Sequence, residues 1–162
     1  MTSMDFIDLA QQCAPAVHVQ TMRSVVAVES SFNPFAIGVV GGRLKRQPRT
    51  LAEAVATAEN LQRLGYNFSV GWSQVNRYNF AKYGLTLQMA FDKCHNLRAG
   101  SGILQACFRD ARKKFPVEQR ALRAAFSCYY SGNFLRGFRP DRAGDISYVD
   151  KVVRQAMLAP GR

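Results

Sequence analysis

The stretch AVESSFNPFAIGVVGG, residues 27–42, contains a single acidic residue, Glu29, at the end of an apolar helical run. One stripe of this predicted helix has helical spacing and consists of Met22, Val25, Val26 and Glu29. Asn33-Pro34 ends the helix, because the residue before a proline disfavours helical geometry. The carboxylate therefore lies where an apolar face meets the following loop.

Glu29 has two interpretations from the pattern alone. In the first, the helix frays at Ser30-Ser31 and the carboxylate simply reaches water. In the second, the side chain is partly buried, which disfavours its ionised form, and the nearby helix C-terminus is unfavourable to negative charge. Both effects would raise the pKa of the carboxyl toward the value that a general acid needs near neutral pH.

Outward from this stretch, the hydrophobic periodicity is helical almost throughout. Predicted helices cover 6–14, 18–32, 50–65, 96–115, 117–132 and a final segment near 145–158. Thr50, followed three residues later by Glu53, is typical of a helix N-terminus. The pattern predicts a mainly α fold, built as one compact domain over residues 1–162.

A minor β element is predicted after the first stretch. In segment 37–49, β-branched residues lie beside Gly41-Gly42, which predicts a small β-hairpin or irregular flap. Segment 67–85 is predicted to be a loop that passes into a short helix.

The composition is that of a globular, strongly basic domain. The chain has 162 residues, of which 48% are hydrophobic, and its net charge is +11. Such a surface attracts polyanions, whether nucleic acid, acidic lipid or an anionic cell-wall polymer. No run of about 18 apolar residues occurs, so we expect no membrane-spanning helix. Residues 1–17 lack the basic start and apolar centre of a recognisable signal peptide.

The cysteines have no metal-binding spacing, and they are Cys13, Cys94, Cys107 and Cys128. With only two histidines in the chain, we do not expect a zinc site. Cys107 and Cys128 lie at similar distances from the predicted turn at Pro116-Val117, so they could face each other across an antiparallel helix pair. Cys13 would then pair with Cys94. Four buried free thiols remain the alternative.

Two later segments carry the groups that a sugar-binding cleft requires. NFSVGWSQVN, residues 67–76, places short hydrogen-bonding side chains beside Trp72, a potential stacking surface. FSCYYSGNF, residues 126–134, contains Tyr129-Tyr130, and Tyr148 follows in the last helix. Each segment is weak alone, because tyrosines on helices more often belong to the core.

Five motifs occur in the same order as in a known family. They are VESSFNPFAIG (28–38), VGWSQVN (70–76), NLRAGSGIL (96–104), CYYSGNF (128–134) and YVDKV (148–152). Through them the chain resembles the lytic transglycosylases of the goose-lysozyme-like (SLT) superfamily, whose fold is lysozyme-like α+β. The details are most similar to the VirB-type transglycosylases of bacterial type IV secretion systems.

The resemblance implies that Glu29 is the sole catalytic acid and base. Glu29 would protonate the glycosidic oxygen between N-acetylmuramic acid and N-acetylglucosamine, then accept the proton of the muramoyl 6-hydroxyl as a 1,6-anhydro ring closes. The residues implied to bind the glycan or to brace the site are Ser30, Ser73, Gln74, Asn76, Tyr129 and Tyr148. No second carboxylate is marked, since Asp92 precedes a predicted helix and suits a loop or cap.

The resemblance also implies a cellular setting. We expect a periplasmic monomer that acts on peptidoglycan glycan strands, without metal, cofactor, nucleic acid or stable membrane insertion. Components of a type IV secretion system are possible partners.

Two positions depart from the family pattern. Trp72-Ser73 replaces Leu-Met, which would put a bulky ring and a hydroxyl in the cleft wall. Tyr130 stands where most relatives have asparagine, so the loop after Tyr129 is expected to be held differently.

Four rival functions remain open at this point. A lysozyme-like hydrolase would use the same fold, and an inactive wall-binding assembly protein would not need Glu29. A nucleic-acid-binding protein is suggested by basic clusters within 43–49, 109–114 and 136–142, although no nucleic-acid motif is present. A cysteine nucleophile at Cys94-His95 is poorly supported, because adjacent residues seldom have nucleophile–base geometry. Endo or exo cleavage is not decided.

Overall fold

Helices form most of the computed structural model, which describes residues 3–158. They are α1 (Ser3–Cys13), α2 (Val19–Ser30), α3 (Leu51–Arg63), α4 (Leu87–Ala90), α5 (Lys93–Lys114), α6 (Glu118–Ser131) and α7 (Tyr148–Met157). The six predicted helices are confirmed, whereas the single turn of α4 was not predicted. The Thr50 side chain accepts a hydrogen bond from the Glu53 backbone N–H at 3.1 Å, as its position before α3 predicts. The ends of the predicted domain, residues 1–2 and 159–162, lie outside the described residues.

A three-stranded antiparallel sheet lies beside the helices. Its strands are β1 (Ile37–Val39), β2 (Phe68–Val70) and β3 (Val75–Asn76), in the order β1-β2-β3. Ile37 pairs with Val70, and Ser69 pairs with Asn76. The predicted minor β element is therefore confirmed. Of the two forms predicted for 37–49, the hairpin is wrong, because β1 pairs with β2, and the irregular flap is what the structure has. The prediction of a loop passing into a short helix over 67–85 missed β2 and β3, while Arg77–Asn79 forms a short 3₁₀ helix.

The Gln47 side chain explains why segment 37–49 does not form a β-hairpin. The Gln47 amide accepts a hydrogen bond from the Ile37 N–H at 2.8 Å and donates one to the Ile37 carbonyl at 3.1 Å. One side chain thus satisfies the backbone groups that a second strand of the hairpin would have satisfied. The other edge of β1 is free to pair with β2, whose Phe68 and Val70 are fully buried.

The hydrophobic core has two main parts with the site between them. The first contains side chains of α1, α2, α5, α6 and α7 around Trp72. The second covers the sheet with α3 and includes Ile37, Phe68, Val70 and Ala58. Because α2 ends where the two parts meet, its last turn is placed at the edge of the helical core.

Two disulfides join the helices. Cys13 of α1 is bonded to Cys94 of α5, and Cys107 of α5 is bonded to Cys128 of α6. Both predicted pairs are confirmed, and the alternative of free thiols is wrong. The Asp92 side chain accepts a hydrogen bond from the His95 N–H at 3.0 Å, so Asp92 is the N-cap of α5, as expected. Within residues 3–158, no helix has the length and apolar character needed to cross a membrane.

Candidate active site

A cleft of about 720 Å³ opens between the sheet and the helices. We call its two sides the sheet wall (Gly38, Val39, Gln74 and Asn76) and the tyrosine wall (Tyr129 and Tyr130, with Tyr148 behind them). Of the eight predicted site residues, four line the cleft: Glu29, Gln74, Asn76 and Tyr129. The other four lie outside its lining, and they are Ser30, Trp72, Ser73 and Tyr148.

Glu29 occupies the last turn of α2 and reaches the cleft surface. Part of its side chain is exposed, yet the surrounding protein removes most of the water that would stabilise its charge. This burial raises the pKa of Glu29 from its usual 4.5 to about 7, against a smaller lowering by a hydrogen bond from Tyr148. The interpretation of Glu29 as a partly buried carboxyl is confirmed, and the interpretation as a water-exposed helix-end charge is wrong.

Tyr148 is the polar partner of the catalytic candidate. Its hydroxyl donates a hydrogen bond to Glu29 Oε2 at 2.8 Å, although 119 residues separate the two in sequence. Tyr148 is the first residue of α7, after the N-cap Ser147, and its ring is buried. Burial, and next the negative charge of Glu29, hold the pKa of Tyr148 well above its usual range, so its hydroxyl remains a donor.

Tyr129 joins the tyrosine wall to the turn between β2 and β3. Its hydroxyl donates a hydrogen bond to the Ser73 carbonyl at 2.6 Å. Burial and the nearby charge of Glu29 also raise the pKa of Tyr129 well above its usual range. Since its hydroxyl proton bonds to the backbone, Tyr129 braces the site and presents its ring to the cleft.

The prediction that Trp72 offers the glycan a stacking surface is wrong for this structure. Its ring is fully buried in the helical core, and its Nε1–H donates to the Phe32 carbonyl at 3.1 Å. Ser31 and Phe32 have the left-handed φ values of 52° and 62°, which are costly for residues other than glycine. Trp72 therefore stabilises the strained turn that directly follows Glu29. The motif correctly predicted that Trp72 lies near the site, but not that its side chain points into the core.

Two serines also face the protein interior rather than the cleft. The Ser30 hydroxyl donates to the Trp72 carbonyl at 2.8 Å, which ties the end of α2 to the turn after β2. Ser73 is fully buried, and its hydroxyl has no hydrogen-bond partner among the described residues. The expectation that Ser73 lies in the cleft wall is wrong, and Ser30 acts as a brace in this geometry.

Side-chain amides hold the sheet wall in shape. Gln74 donates to the carbonyls of Ala36 and Gly71, both at 3.0 Å, from a residue with a left-handed φ of 50°. Asn76 donates to Asn67 Oδ1 at 2.7 Å. Because these N–H groups are already bonded, the amides mainly set the position of β1 and β3. Contact with a glycan stays a prediction for both residues.

Asn96 is a structural residue of the site that the sequence reasoning did not single out. Its buried amide accepts from the Ser73 N–H at 2.7 Å and donates to the Val70 carbonyl at 3.0 Å and the Ala90 carbonyl at 2.8 Å. It therefore fixes the turn between β2 and β3 onto α5. The motif NLRAGSGIL begins at this residue, so the motif was the signal that could have identified it.

The cleft also contains charged and polar side chains that no motif indicated. They include Asn67, Ser69, Asn79, Lys82, Tyr83 and Asp110. Asp110 is largely exposed and lies 3.7 Å from Lys113 Nζ. Within residues 3–158, no group of three side chains is placed to hold a metal ion. The lining thus offers one carboxyl with a pKa near neutrality, and such a group can donate a proton and later accept one.

Comparisons with known proteins agree with this geometry. The family model described as "Transglycosylase SLT domain" matches residues 8–135. The chain is 60% identical over 152 residues to "Type IV secretion system protein virB1" of Brucella abortus, covering 93% of this chain and 63% of that protein. It is 35% identical over 162 residues to "Protein virB1" of Rhizobium radiobacter, covering 99% of this chain and 66% of the relative. No solved structure matches. The chain therefore spans a little under two thirds of the Brucella relative's length.

Proposed function

Because the chain belongs to the SLT transglycosylase domain family, we propose that it is a peptidoglycan lytic transglycosylase with Glu29 as its single acid and base. The substrate is the β-1,4 bond between N-acetylmuramic acid and N-acetylglucosamine. The observation that carries the proposal is the Glu29 carboxyl on the cleft surface, with its pKa raised by burial to about 7. Such a carboxyl is substantially protonated near neutral pH, as a general acid must be.

The first step breaks the glycosidic bond. Glu29 donates its proton to the bridging oxygen, the electron pair of the C1–O bond leaves with that oxygen, and positive charge develops at C1. The substrate's own N-acetyl group assists at C1. Tyr148 donates to Glu29 Oε2 at 2.8 Å, which stabilises the carboxylate as it forms.

The second step closes a ring within the sugar. The muramoyl 6-hydroxyl gives its proton to the Glu29 carboxylate, and its oxygen bonds to C1. The product is a 1,6-anhydromuramoyl end, and Glu29 regains its proton for the next cycle. No water is activated, so the second carboxylate that most glycosidases require is not needed.

Digestion of purified sacculi, with mass spectrometry of the products, tests this proposal directly. We expect muropeptides that end in 1,6-anhydromuramic acid. Reducing ends, one water heavier, would instead identify a lysozyme-like hydrolase. In that case Asp110, the other carboxylate of the described cleft lining, would be the first candidate for a second catalytic group.

We further propose that the protein acts in the periplasm, as a monomer, for a type IV secretion system. The Brucella relative named above carries that system in its printed name, and the charge of +11 suits an anionic wall polymer. Size-exclusion chromatography with light scattering tests the monomer. Binding to duplex DNA that falls steeply with salt, without any binding to glycan, would favour the nucleic-acid alternative.

A further inference from the structure

Tyr130 departs from the family motif and lies directly against the partner of Glu29. Its ring is stacked on that of Tyr148, with 4.5 Å between the centroids and 11° between the planes. Tyr130 is 38% exposed and lines the cleft, whereas Tyr148 is only 6% exposed. The Tyr148 ring, whose hydroxyl donates to Glu29, therefore has the core on one face and Tyr130 on the other.

The hydroxyl end of the Tyr130 side chain is held by a carboxylate. The Tyr130 hydroxyl donates a hydrogen bond to Asp141 Oδ2. Asp141 lies in the segment 132–147, which connects α6 to α7. Ser127 holds the start of this segment, because its hydroxyl donates a hydrogen bond to the Asn133 carbonyl at 2.6 Å and accepts one from the Gly137 N–H at 2.7 Å. The Tyr130–Asp141 bond is a second tie, nearer to α7.

We propose that Tyr130 and Asp141 are positioning residues, which keep the Tyr148 hydroxyl on Glu29. Asp141 fixes the Tyr130 ring through its hydroxyl, and the stacked ring limits the motion of Tyr148 at the start of α7. This inference rests on the proposed function for its catalytic meaning, but the geometry of the four side chains does not depend on it.

The charges around these side chains fix the direction of the expected change. Glu29 is faced by Tyr148 from α7 and by Tyr129 and Tyr130 from α6. Burial, then the hydrogen bond to Asp141, raises the pKa of Tyr130 to about 12, so it donates throughout the neutral range, although nearby Arg136 slightly opposes this. The hydrogen bond from Tyr148 lowers the pKa of Glu29. Loosening Tyr148 without admitting water therefore raises the pKa of Glu29, and this condition holds for variants that keep the Tyr130 ring in place. Removing the ring also admits water, which lowers the pKa.

Three variants separate the effect of the Tyr130–Tyr148 ring stack from that of the Tyr130–Asp141 hydrogen bond: Tyr130→Ala, Tyr130→Phe and Asp141→Ala. Tyr130→Ala removes the ring, and we expect kcat to fall about fivefold, as for the loss of one stacked aromatic pair. Tyr130→Phe retains the ring but not the tie, so it should restore most of kcat and lie about twofold below the parent. Asp141→Ala should match it, and the double variant Tyr130→Phe/Asp141→Ala should be no worse than either.

Two measurements accompany the rates. The first is the pH profile of kcat, whose alkaline limb should move to higher pH in Tyr130→Phe and Asp141→Ala, which keep the ring over Tyr148. The second is the carboxyl titration of Glu29 by carbon-13 NMR in the free protein, whose midpoint should rise in the same two variants. Matched controls are Tyr66→Phe, which removes an exposed tyrosine hydroxyl outside the cleft lining, and Asp145→Ala, which removes another carboxylate of the same segment. Both should leave the titration unchanged.

The outcomes discriminate between positioning and mere stability. A lower rate or melting temperature with an unmoved Glu29 midpoint would overturn the inference, as would additive losses in the double variant. If the parent does not cleave glycan, the proposed function fails, but the Glu29 titration still decides whether Tyr130 and Asp141 hold Tyr148. A midpoint that rises in Tyr130→Phe, and not in Asp141→Ala, would remove Asp141 from the proposal.

Discussion

The two walls of the cleft use similar polar groups in different ways. On the sheet wall, the amide hydrogens of Gln74 and Asn76 bond to carbonyls and side chains of the protein itself. On the tyrosine wall, the Tyr148 hydroxyl bonds to Glu29, and the Tyr130 ring lies against Tyr148. The sheet wall thus determines the shape of the cleft, whereas the tyrosine wall supplies the hydrogen bond that partly offsets the effect of burial on the pKa of Glu29.

A motif residue can also support the site from inside the protein. Trp72 belongs to a motif of the family, yet it is fully buried and bonds to the turn after Glu29. Asn96 likewise opens a motif and is fully bonded inside the protein. The comparison of the two walls predicts that substitutions on the sheet wall change stability first, whereas substitutions on the tyrosine wall change the pH dependence.

The largest effect is expected at the carboxyl that both walls surround. Glu29→Gln keeps the shape of the side chain but removes the acid, so cleavage of sacculi should fall by about 10²–10⁴-fold. Anhydromuropeptide release over time measures it. The control is Glu59→Gln, an exposed glutamate on α3, which should retain the parent rate. Parent-like cleavage by Glu29→Gln would remove Glu29 from the mechanism.

The second prediction concerns the cost of keeping this acid buried. The pKa of Glu29 is about 7 in the folded protein and near 4.5 when it is unfolded, so the parent loses stability as pH rises from about 4.5 through 7. Glu29→Gln does not ionise and should avoid this loss. Its free energy of unfolding should exceed that of the parent at pH 8 by at most about 3 kcal/mol, less where the cleft admits water.

Urea unfolding of both proteins at pH 4 and pH 8 measures this difference. The gap between them should be larger at pH 8 than at pH 4. A gap that is the same at both pH values would mean that Glu29 ionises as easily in the folded protein as in the unfolded chain.

An intermediate effect is expected on the tyrosine wall. Tyr148→Phe removes the hydrogen bond to Glu29, so the forming carboxylate loses a donor and kcat should fall about tenfold. The pKa of Glu29 should rise, and the alkaline limb of the pH profile should move to higher pH. A lower rate with an unchanged pH profile would contradict the assigned role.

The smallest effect on rate is expected on the sheet wall. Gln74→Ala removes two hydrogen bonds to the carbonyls of Ala36 and Gly71, and should lower the free energy of unfolding by about 1–3 kcal/mol. The pH profile should not move, because Gln74 has no hydrogen bond to Glu29 among the described residues. A shifted pH profile in this variant would break the distinction between the walls.

The sequence predicts those parts of the fold that depend on local signals. Capping at Thr50, the ends of the helices and the turn between α5 and α6 are local. The turn suggested the Cys107–Cys128 pair but left free thiols open, and the structure decides between them. The partner of β1 was not predictable, because β2 begins 29 residues after β1 ends and the Gln47 side chain takes the place of a local strand. No spacing rule identifies a side chain that replaces a strand.

The neighbourhood of the site was predictable, but only half of the predicted residues line the cleft. The motifs pointed to Glu29, whereas periodicity alone left it between a buried carboxyl and a helix-end charge. Its burial depends on α7, which returns to α2 more than one hundred residues later. Trp72 and Ser73 were placed correctly near the site, but the turn after β2 directs both side chains into the core. The direction of a side chain in a tight turn depends on its φ and ψ angles, which the residue type does not fix.

The central claim is that burial at the cleft gives Glu29 the acidity of a general acid. The carbon-13 titration of its carboxyl in the parent protein tests this claim most directly, with the signal assigned by its loss in Glu29→Gln. The account predicts a midpoint of about 7. A midpoint near 4.5, the usual value for a glutamate, would show that the carboxyl is fully ionised at neutral pH and would contradict the account.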